Sequence, residues 1–231
     1  MVLPKTIAVD GPAGSGKSSV SFAVAQRIGY LFFDTGALYR ALTLVALEQH
    51  IDMNNSDALV ALAQRVDLDI TPDLDDDGRQ CTVLADGRDI TPRIHDPEVE
   101  AHVSVVSAIP GVRNTLLGVQ RAIARRGRVI MAGRDIGTVV LPDAELKLYI
   151  DASLEQRAQR RYQQRLAKGK PADLDSIREG LRARDALDSG REVAPLLRAP
   201  DAVEVDTSDF TLEESVEAVY RLIMEWRPPS S

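Results

Sequence analysis

The chain has 231 residues, of which 44% are apolar, and its 35 acidic and 28 basic residues give a net charge of −7. This apolar content argues against global disorder, and the acidic balance argues against general binding to nucleic acid or to a membrane surface. The single cysteine, Cys81, excludes an internal disulfide, and no apolar run approaches the roughly 20 residues that cross a bilayer. We expect a cytoplasmic monomer without a signal peptide, a zinc site, a nucleic-acid partner or a membrane partner.

The most informative motif is a glycine-rich loop near the start of the chain. The apolar run Thr6–Asp10 predicts a buried strand, Gly11-Pro12-Ala13-Gly14-Ser15-Gly16-Lys17-Ser18 follows it, and apolar residues at helical spacing come next. A strand, this glycine spacing and a helix together indicate a phosphate-binding loop (P-loop). Its backbone N–H groups can surround phosphate oxygens, Lys17 can reach the β- and γ-phosphates, and the Ser18 hydroxyl can ligate Mg²⁺. The strand–helix context disfavours the alternative of a glycine turn with a surface lysine, so we predict nucleoside triphosphate binding.

Further apolar runs alternate with helical patterns along the chain. This alternation predicts an α/β fold with a doubly wound parallel sheet of five strands. The predicted strands are 6–10, 31–33, 129–132, 146–150 and 202–205. The predicted helices are 17–28, 37–49, 112–126, 153–168 and 212–226, and Ser153 with Gln156 and Thr211 with Glu214 predict capping boxes at the last two.

Residues 66–95 interrupt this alternation. Short strand patterns at 66–70, 81–85 and 88–90, with Asp86-Gly87 as a tight turn, predict a small antiparallel subdomain. The acidic run at 73–77 resembles a Ca²⁺ loop in composition, but it lacks an acidic ligand near its end. We therefore interpret it as a solvated turn.

Arginines concentrate in a second unusual segment. The chain has 23 arginines, a total that genomic base composition can explain, but nine of them lie between Arg157 and Arg198. Planar guanidinium groups suit a pocket that closes over phosphates, so residues 165–199 are predicted to form a mobile lid. A solvated helix face for some of these arginines and an ordinary helical hairpin remain as alternatives.

Two predicted strands end in motifs that carry arginine. Asp34-Thr35-Gly36 is followed by Tyr39-Arg40, and the third core strand ends in Gly133-Arg134-Asp135-Ile136-Gly137. Ligands of doubly wound sheets bind beyond the C-terminal ends of the strands, where the P-loop also lies. Arg134 and Asp135 could form only a surface ion pair, but the flanking glycines favour a role in binding a second anion.

Taken together, these motifs resemble those of the nucleoside monophosphate kinases and, within them, the bacterial cytidylate kinases. The resemblance extends along nearly the whole chain, and residues 66–95 look like the insertion that distinguishes bacterial cytidylate kinases. Its marks are Asp10–Ser19, Asp34–Arg40, Gly133–Val140, Arg184 through Asp188 to Arg191, and Val193–Leu196.

The resemblance implies a role for each candidate residue. ATP would be held by Gly11, Pro12, Ala13, Gly14, Ser15, Gly16, Lys17, Ser18 and Ser19, with Mg²⁺ at Ser18. The CMP phosphate would be surrounded by Thr35, Gly36, Arg40, Arg134 and Arg191. The acceptor ribose and the lid would involve Arg184 and Asp188, and the cytosine ring would be read by Ser104, Arg113 and Asp135. The catalytic residues would be Lys17, Arg134, Arg184 and Arg191, with Arg182, Arg157 and Arg161 as substitutes for Arg184.

The resemblance also implies an organisation and an activity. We predict one P-loop kinase domain with its core at 1–34, 111–152 and 200–227, a monophosphate-binding region at 35–110, and a helical lid at 157–199. The predicted reaction is ATP-dependent phosphorylation of CMP, and of dCMP, in pyrimidine metabolism. The alternatives are another small-molecule P-loop kinase and a nucleotide sensor that has lost catalysis. A GTPase is excluded because the chain lacks an Asn-Lys-x-Asp stretch.

Overall fold

A computed structural model describes residues 2–73, 77–167, 169–190 and 194–228 of the chain. In chain order its elements are β1 (Thr6–Asp10), α1 (Lys17–Ile28), β2 (Leu31–Asp34), α2 (Gly36–Glu48), α3 (Ser56–Arg65), β3 (Leu68–Thr71), β4 (Thr82–Ala85), β5 (Arg88–Asp89), a 3₁₀ turn (Thr91–Arg93), α4 (Pro97–Ala108), α5 (Pro110–Ala124), β6 (Val129–Gly133), a π-helical turn (Ile136–Val140), β7 (Leu146–Asp151), α6 (Leu154–Ala167), α7 (Leu174–Ser189), β8 (Val203–Asp206) and α8 (Leu212–Glu225).

The main sheet has five parallel strands in the order β2-β6-β1-β7-β8. Val9 of β1 pairs with Leu148 of β7, and Ile150 of β7 pairs with Val205 of β8. Strand β6 is buried throughout, and β8 at the edge exposes most of its residues, as expected when helices cover the interior of a parallel sheet. The predicted α/β fold and its five strands are confirmed.

The contacts between Cα atoms divide the chain into two compact units, one formed by Met1–Tyr30 with Ile130–Ser231 and the other by Leu31–Val129. In the first unit α1 packs on α8, where Arg27 pairs with Glu217 at 2.8 Å and lies over the Tyr220 ring. Both hydrogen bonds of the predicted capping box at the start of α8 are present. The predicted core, monophosphate-binding and lid boundaries remain predictions.

The second unit contains helices α2 to α5 and an antiparallel sheet in the order β3-β4-β5. Asp86 and Gly87 connect β4 to β5 with φ angles of 49° and 75°, the left-handed conformations that a tight hairpin turn requires. Helix α2 packs against α4, and α3 packs against α5. The predicted antiparallel insertion and its Asp-Gly turn are confirmed.

Part of the acidic run lies outside the described residues, namely 74–76. Of the described carboxylates, Asp77 hydrogen-bonds Arg79 at 2.8 Å and Asp73 accepts from the backbone N–H of Gly78 at 3.0 Å. No group of three or more His, Cys, Asp or Glu side chains in the described part of the chain could hold a metal ion. The turn interpretation accounts for these contacts.

Three helices have no counterpart among the helical patterns read from the sequence, although the predicted helical lid covers α7 and each helix begins with a recognisable signal. The Asn55 side chain caps α3 by accepting from Ala58 N at 3.0 Å, and Asp173 caps α7 by accepting from Ser176 N at 2.7 Å. Pro97 lies in the first turn of α4. Their apolar faces are short, so periodicity alone did not separate them from loops. No helix among the described residues is long and apolar enough to cross a membrane.

The predicted lid segment contains the end of α6 and all of α7. The two helices pack against each other through Ala158, Ile177 and Leu181, and this cluster includes Ala13 of the P-loop. These two helices fit both the predicted helical lid and the helical-hairpin alternative. Its movement on ligand binding remains a prediction.

Candidate active site

Glycines shape the P-loop between β1 and α1. A Cβ atom on Gly11, whose φ is 153°, would lie 2.1 Å from the carbonyl oxygen of Ile150, so a larger residue would displace the end of β7. Gly16, with φ 90°, is the N-cap of α1, and its carbonyl accepts from Val20 N at 2.9 Å. The loop thus leads into the N-terminus of a helix, where backbone N–H groups and the helix dipole favour an anion.

The polar side chains of the loop fit a phosphate-bearing ligand. Lys17 is buried, and its Nζ donates to the Pro12 carbonyl at 3.1 Å. Ser18 follows in the first turn of α1, where negative groups are favoured. The buried Ser15 hydroxyl has no hydrogen-bond partner among the described residues. A loop cation and this buried hydroxyl are groups that phosphate oxygens could engage.

Asp10, the last residue of β1, holds the motif that follows β6, Gly133–Gly137, against the strand that precedes the P-loop. Its carboxylate accepts from the backbone N–H groups of Ile136 at 2.8 Å and Gly137 at 2.7 Å. Burial raises the pKa of Asp10 to about 6, against the lowering effect of these two hydrogen bonds; the Asp135 carboxylate raises it further and Lys17 lowers it. The sequence analysis includes Asp10 in the P-loop motif but assigns it no role of its own. The available signal was an acidic residue at the end of a buried strand.

The structure brings two predicted arginines together at Asp188 of α7. Arg134, directly after β6, donates from Nε to Asp188 Oδ2 at 2.7 Å. Arg184, one turn earlier on α7, is largely exposed and lies 3.9 Å from the same oxygen. Asp135 is buried, and its carbonyl accepts from the backbone N–H of Val139 at 2.9 Å. Arg191 lies outside the described residues.

A cavity of about 260 Å³ lies between α6 and α7. Three arginines line it, namely Arg161, Arg165 and Arg184. The other lining residues are Ser176, Ile177, Gly180 and Leu181. Leu181 also belongs to the cluster that includes Ala13 of the P-loop. Three guanidinium groups at one cavity create a positive potential suited to a polyanion.

In the unit formed by residues 31–129, two predicted arginines have defined partners. Arg40 of α2 pairs with Glu100 of α4 at 2.8 Å, and this hydrogen bond lowers the pKa of Glu100. The guanidinium carbon of Arg113 lies 5.7 Å from the centre of the Tyr39 ring, within cation–π range. Sequence reasoning did not identify Glu100 as the partner of Arg40, because the two are 60 positions apart.

The remaining predicted residues of this unit lie near those arginines. Arg113 donates to the Ser107 carbonyl at 3.4 Å, and the Ser107 hydroxyl donates to the Ser104 carbonyl at 3.1 Å, so Ser107 links Arg113 to the exposed Ser104. Thr35 is the buried N-cap of α2, and Gly36 N donates to Asp34 Oδ1 at 2.9 Å. These backbone contacts fix the start of α2.

Comparison with known proteins identifies the family. The family model described as cytidylate kinase matches residues 7–225. The chain belongs to the cytidylate kinase family. A cytidylate kinase of Herpetosiphon aurantiacus is 48% identical, over 96% of this chain and 96% of its own. One of Geobacillus sp. (strain WCH70) is 43% identical, over 95% of this chain and 96% of its own. The resemblance to the bacterial cytidylate kinases is confirmed.

One solved structure is similar at a lower level. It is a shikimate kinase from Acinetobacter baumannii in complex with shikimate, with a TM-score of 0.47 and 17% identity over 96% of this chain and 94% of that one. The fold assignment rests instead on the strand order of the main sheet.

Membership of a kinase family implies ATP-dependent phosphoryl transfer, which usually involves Mg²⁺. Mg²⁺ commonly keeps several waters, and in P-loop proteins it binds the substrate phosphates and the hydroxyl of the Ser or Thr that follows the P-loop lysine. The Ser18 hydroxyl, in the first turn of the helix that follows the P-loop, can supply such an oxygen. The residues present therefore fit the ion when it arrives with ATP.

Two further residues of α6 contact the P-loop. Arg157 donates to the Ala13 carbonyl at 3.1 Å, and Arg160 donates to the Ser15 carbonyl at 3.4 Å. Sequence reasoning considered Arg157 only as a substitute for Arg184, and it missed Arg160. Nothing in the local pattern separates these two arginines from the exposed ones of the same helix.

Proposed function

We propose that this protein transfers the γ-phosphoryl group of ATP to CMP, and to dCMP, producing ADP with CDP or dCDP. The observation that carries the proposal is a complete P-loop in a chain that aligns over about 95% of its length with proteins named cytidylate kinase. Kinases of other small molecules also use this loop. A family match that spans residues 7–225 favours CMP as the acceptor.

The proposed ATP site is the loop from Gly11 to Ser19. Backbone N–H groups of the loop bind phosphate oxygens, and Lys17 turns from the Pro12 carbonyl to the β- and γ-phosphates. Ser18 ligates Mg²⁺, which when bound neutralises charge on those phosphates. This exchange is reasonable for Lys17 because a phosphate accepts a stronger, charge-assisted hydrogen bond than a carbonyl.

The proposed CMP site combines residues of the motifs that follow β2 and β6 with residues of α4, α5 and the lid. The monophosphate is bound by Thr35, Gly36, Arg40, Arg134 and Arg191. The base is read by Ser104, Arg113 and Asp135, while Arg184 and Asp188 contact the ribose and the lid side. For Arg40, the pair with Glu100 supports the assignment, because a carboxylate can hold the guanidinium ready for an anion.

The cavity between α6 and α7 bears on which lid arginine contacts the transferred phosphoryl group. Arg184 is more than half exposed, and it shares the cavity with Arg161. Arg157 is buried and engaged by Asp185, and Arg182 pairs with Glu179 on the surface of α7. We therefore favour Arg184, with Arg161 as its substitute.

The chemistry requires positioning and charge neutralisation more than acid–base catalysis. The acceptor is a phosphate that is largely dianionic at neutral pH, so no general base has to remove a proton from it. The moving phosphoryl group spreads negative charge over its oxygens, which lysine and arginine side chains stabilise. Closure of α6 and α7 would exclude water and so prevent hydrolysis of ATP.

A panel of nucleoside monophosphates tests the proposal. ATP, Mg²⁺ and each of CMP, dCMP, UMP, AMP and GMP are incubated with the protein, and ADP release is followed in a coupled assay. CMP should give the highest kcat/KM. Turnover with a sugar acid but no nucleotide would favour the other-kinase alternative, and ATP binding without ADP release would favour the inactive sensor. Gel filtration tests the expected monomer.

A further inference from the structure

We propose that Arg157 and Arg160 are positioning residues that hold the P-loop in its phosphate-binding conformation, and that Arg157 couples this conformation to α7 through Asp185. The inference rests on the proposed function, because it assumes that the P-loop binds the phosphates of ATP.

The two arginines hold alternate carbonyls of the loop. They lie nearly one turn apart on α6, and their NH1 atoms donate to Ala13 O at 3.1 Å and to Ser15 O at 3.4 Å. Because the peptide unit is planar and trans, the carbonyl of one residue and the N–H of the next point in opposite directions. Holding the carbonyls of Ala13 and Ser15 toward α6 therefore turns the N–H groups of Gly14 and Gly16 away from it. Those glycine N–H groups are the donors that a phosphate cradle needs.

Arg160 also ties the loop to the segment after β8. Its guanidinium donates to both the carbonyl and the hydroxyl of Thr207, and to the Phe210 carbonyl at 3.1 Å. The Thr207 hydroxyl lies 3.3 Å from Ser15 O and 3.0 Å from Asp151 O. The Ser15 carbonyl is thus held from two sides. The contact from Thr207 is buried and the one from Arg160 is partly buried, and hydrogen bonds away from water are stronger than exposed ones.

Arg157 connects the loop to α7. Its side chain is 7% exposed; Nε donates to Ala152 O at 2.9 Å, and the two terminal nitrogens lie 3.1 and 2.7 Å from the Asp185 carboxylate oxygens. One planar guanidinium therefore links the end of β7, the P-loop and α7. Lysine could not replace it, because an ammonium group lacks the fork that binds a carboxylate and two carbonyls at once. Asp185 adjoins Arg184, so the link sets the position of the turn that presents Arg184 to the lid cavity.

Three variants test the proposal: Arg160→Gln, Arg157→Lys and Asp185→Asn, with Arg221→Gln as the control. Arg221 is an exposed arginine of α8 that pairs with Glu217 in the preceding turn of the same helix. For each protein, calorimetry gives the Kd of ATP and of CMP separately, steady-state assays give kcat and KM, and thermal scans give Tm.

Arg160→Gln and Arg157→Lys should each raise the Kd of ATP about tenfold or more, which is the usual effect of losing one charge-assisted hydrogen bond. The Kd of CMP should stay within about twofold of the wild-type value. Asp185→Asn should weaken ATP less and lower kcat more, because its contact with the loop is indirect. Arg221→Gln should match the wild type in every measurement.

An ATP Kd that stays at the wild-type value in Arg160→Gln and Asp185→Asn would overturn the proposal, even if Tm falls, since that pattern marks a purely structural role. These two side chains are only partly buried, so they decide the matter if Arg157→Lys does not fold. Failure of the proposed function gives a different result: the wild-type protein would then not phosphorylate CMP. A wild type that does not bind ATP at all would overturn both.

Discussion

Arg134 donates from Nε to Oδ2 of Asp188 at 2.7 Å, and the Asp188 side chain is only 2% exposed. The two residues are 54 positions apart, one directly after β6 and the other in the last turn of α7. Their ion pair joins the glycine-flanked motif of the core to the helix of the predicted lid. Asp185, three residues before Asp188, forms a second pair with Arg157. Since Arg157 also donates to the Ala13 carbonyl, this pair links α7 to the P-loop. The arginine-rich helix is therefore anchored through its acidic residues.

Asp188→Asn should destabilise the protein, because it leaves the mostly buried Arg134 guanidinium without a charged partner. Breaking a buried pair in this way typically costs about 3 kcal/mol or more. Urea unfolding without ligands measures the change. Glu179→Gln is the matched control, since Glu179 pairs with Arg182 on the exposed face of the same helix and should cost less than about 1 kcal/mol. Equal losses in both variants would show that the Arg134–Asp188 pair adds nothing beyond a surface pair.

Lys17→Ala should lower kcat by about a hundredfold or more, which is typical for loss of one charged contact to the transition state. The fold should persist, because the Nζ hydrogen bond to Pro12 O lies within the loop. Coupled ADP release gives kcat, and circular dichroism gives the helix content. Near-normal turnover in a well-folded variant would remove Lys17 from the mechanism.

Asp135→Ala should reduce phosphorylation of CMP much more than that of UMP. A carboxylate can accept from the N4 amino group of cytosine, whereas uracil presents an acceptor, O4, at that position. Loss of such a pairing typically changes discrimination about ten- to a hundredfold, so the ratio of the two kcat/KM values should narrow by that factor. An equal fall for both substrates would mean that Asp135 positions Arg134 or the phosphate instead of reading the base.

Arg113→Met should weaken CMP binding and leave ATP binding nearly unchanged. Its guanidinium can donate to N3 or O2 of cytosine, and the Ser104 hydroxyl nearby can serve as donor or acceptor. Isothermal titration with each nucleotide separates the two effects. Weakened binding of ATP to the same extent as CMP would contradict the assignment of Arg113 to the base.

The pKa of Asp10, raised from 3.8 to about 6 mainly by burial, makes a pH-dependent contribution to stability. Because the folded state binds this proton more tightly, the contribution is full below about pH 3.8 and is lost as the pH rises through about 6, a change of about 3 kcal/mol. In Asp10→Asn this dependence should be absent. The unfolding free energy of the wild type minus that of the variant should therefore fall as the pH rises from about 3.8 to above 6. Asp201→Asn is a control of opposite sign, because Lys147 lowers the pKa of Asp201. A wild-type-minus-variant difference for Asp10 that is flat across this range would contradict the raised pKa.

Amide hydrogen exchange tests closure of the lid. If residues 165–199 close over both nucleotides, exchange in peptides covering α7 should slow when ATP and CMP are present together, or when a bisubstrate analogue is bound. Peptides from α8 serve as the internal control, because this helix packs on α1 and should exchange at the same rate in both states. Unchanged exchange in α7 with the bound analogue would rule out closure.

The sequence by itself determined the P-loop, the five core strands and the family. These features depend on local patterns: glycines at fixed spacing, continuous apolar runs, and the Asp86-Gly87 turn, whose left-handed angles follow from residue type. Helices α3 and α4 were missed, and α7 was predicted only as part of a helical lid, because their apolar faces are short. Their N-caps at Asn55, Asp96 and Asp173 were the signals that could have located them.

Only the tertiary structure decided which of the many arginines have partners and what those partners are. Arg134 pairs with Asp188, Arg157 with Asp185, and Arg40 with Glu100, each across 28 or more positions of the chain. Arg157 and Arg161 lie one turn apart on α6, yet one is buried against the P-loop and the other lines the lid cavity. Sequence spacing shows which residues share a helix face, but the partner of a charged side chain depends on which element the fold packs against that face.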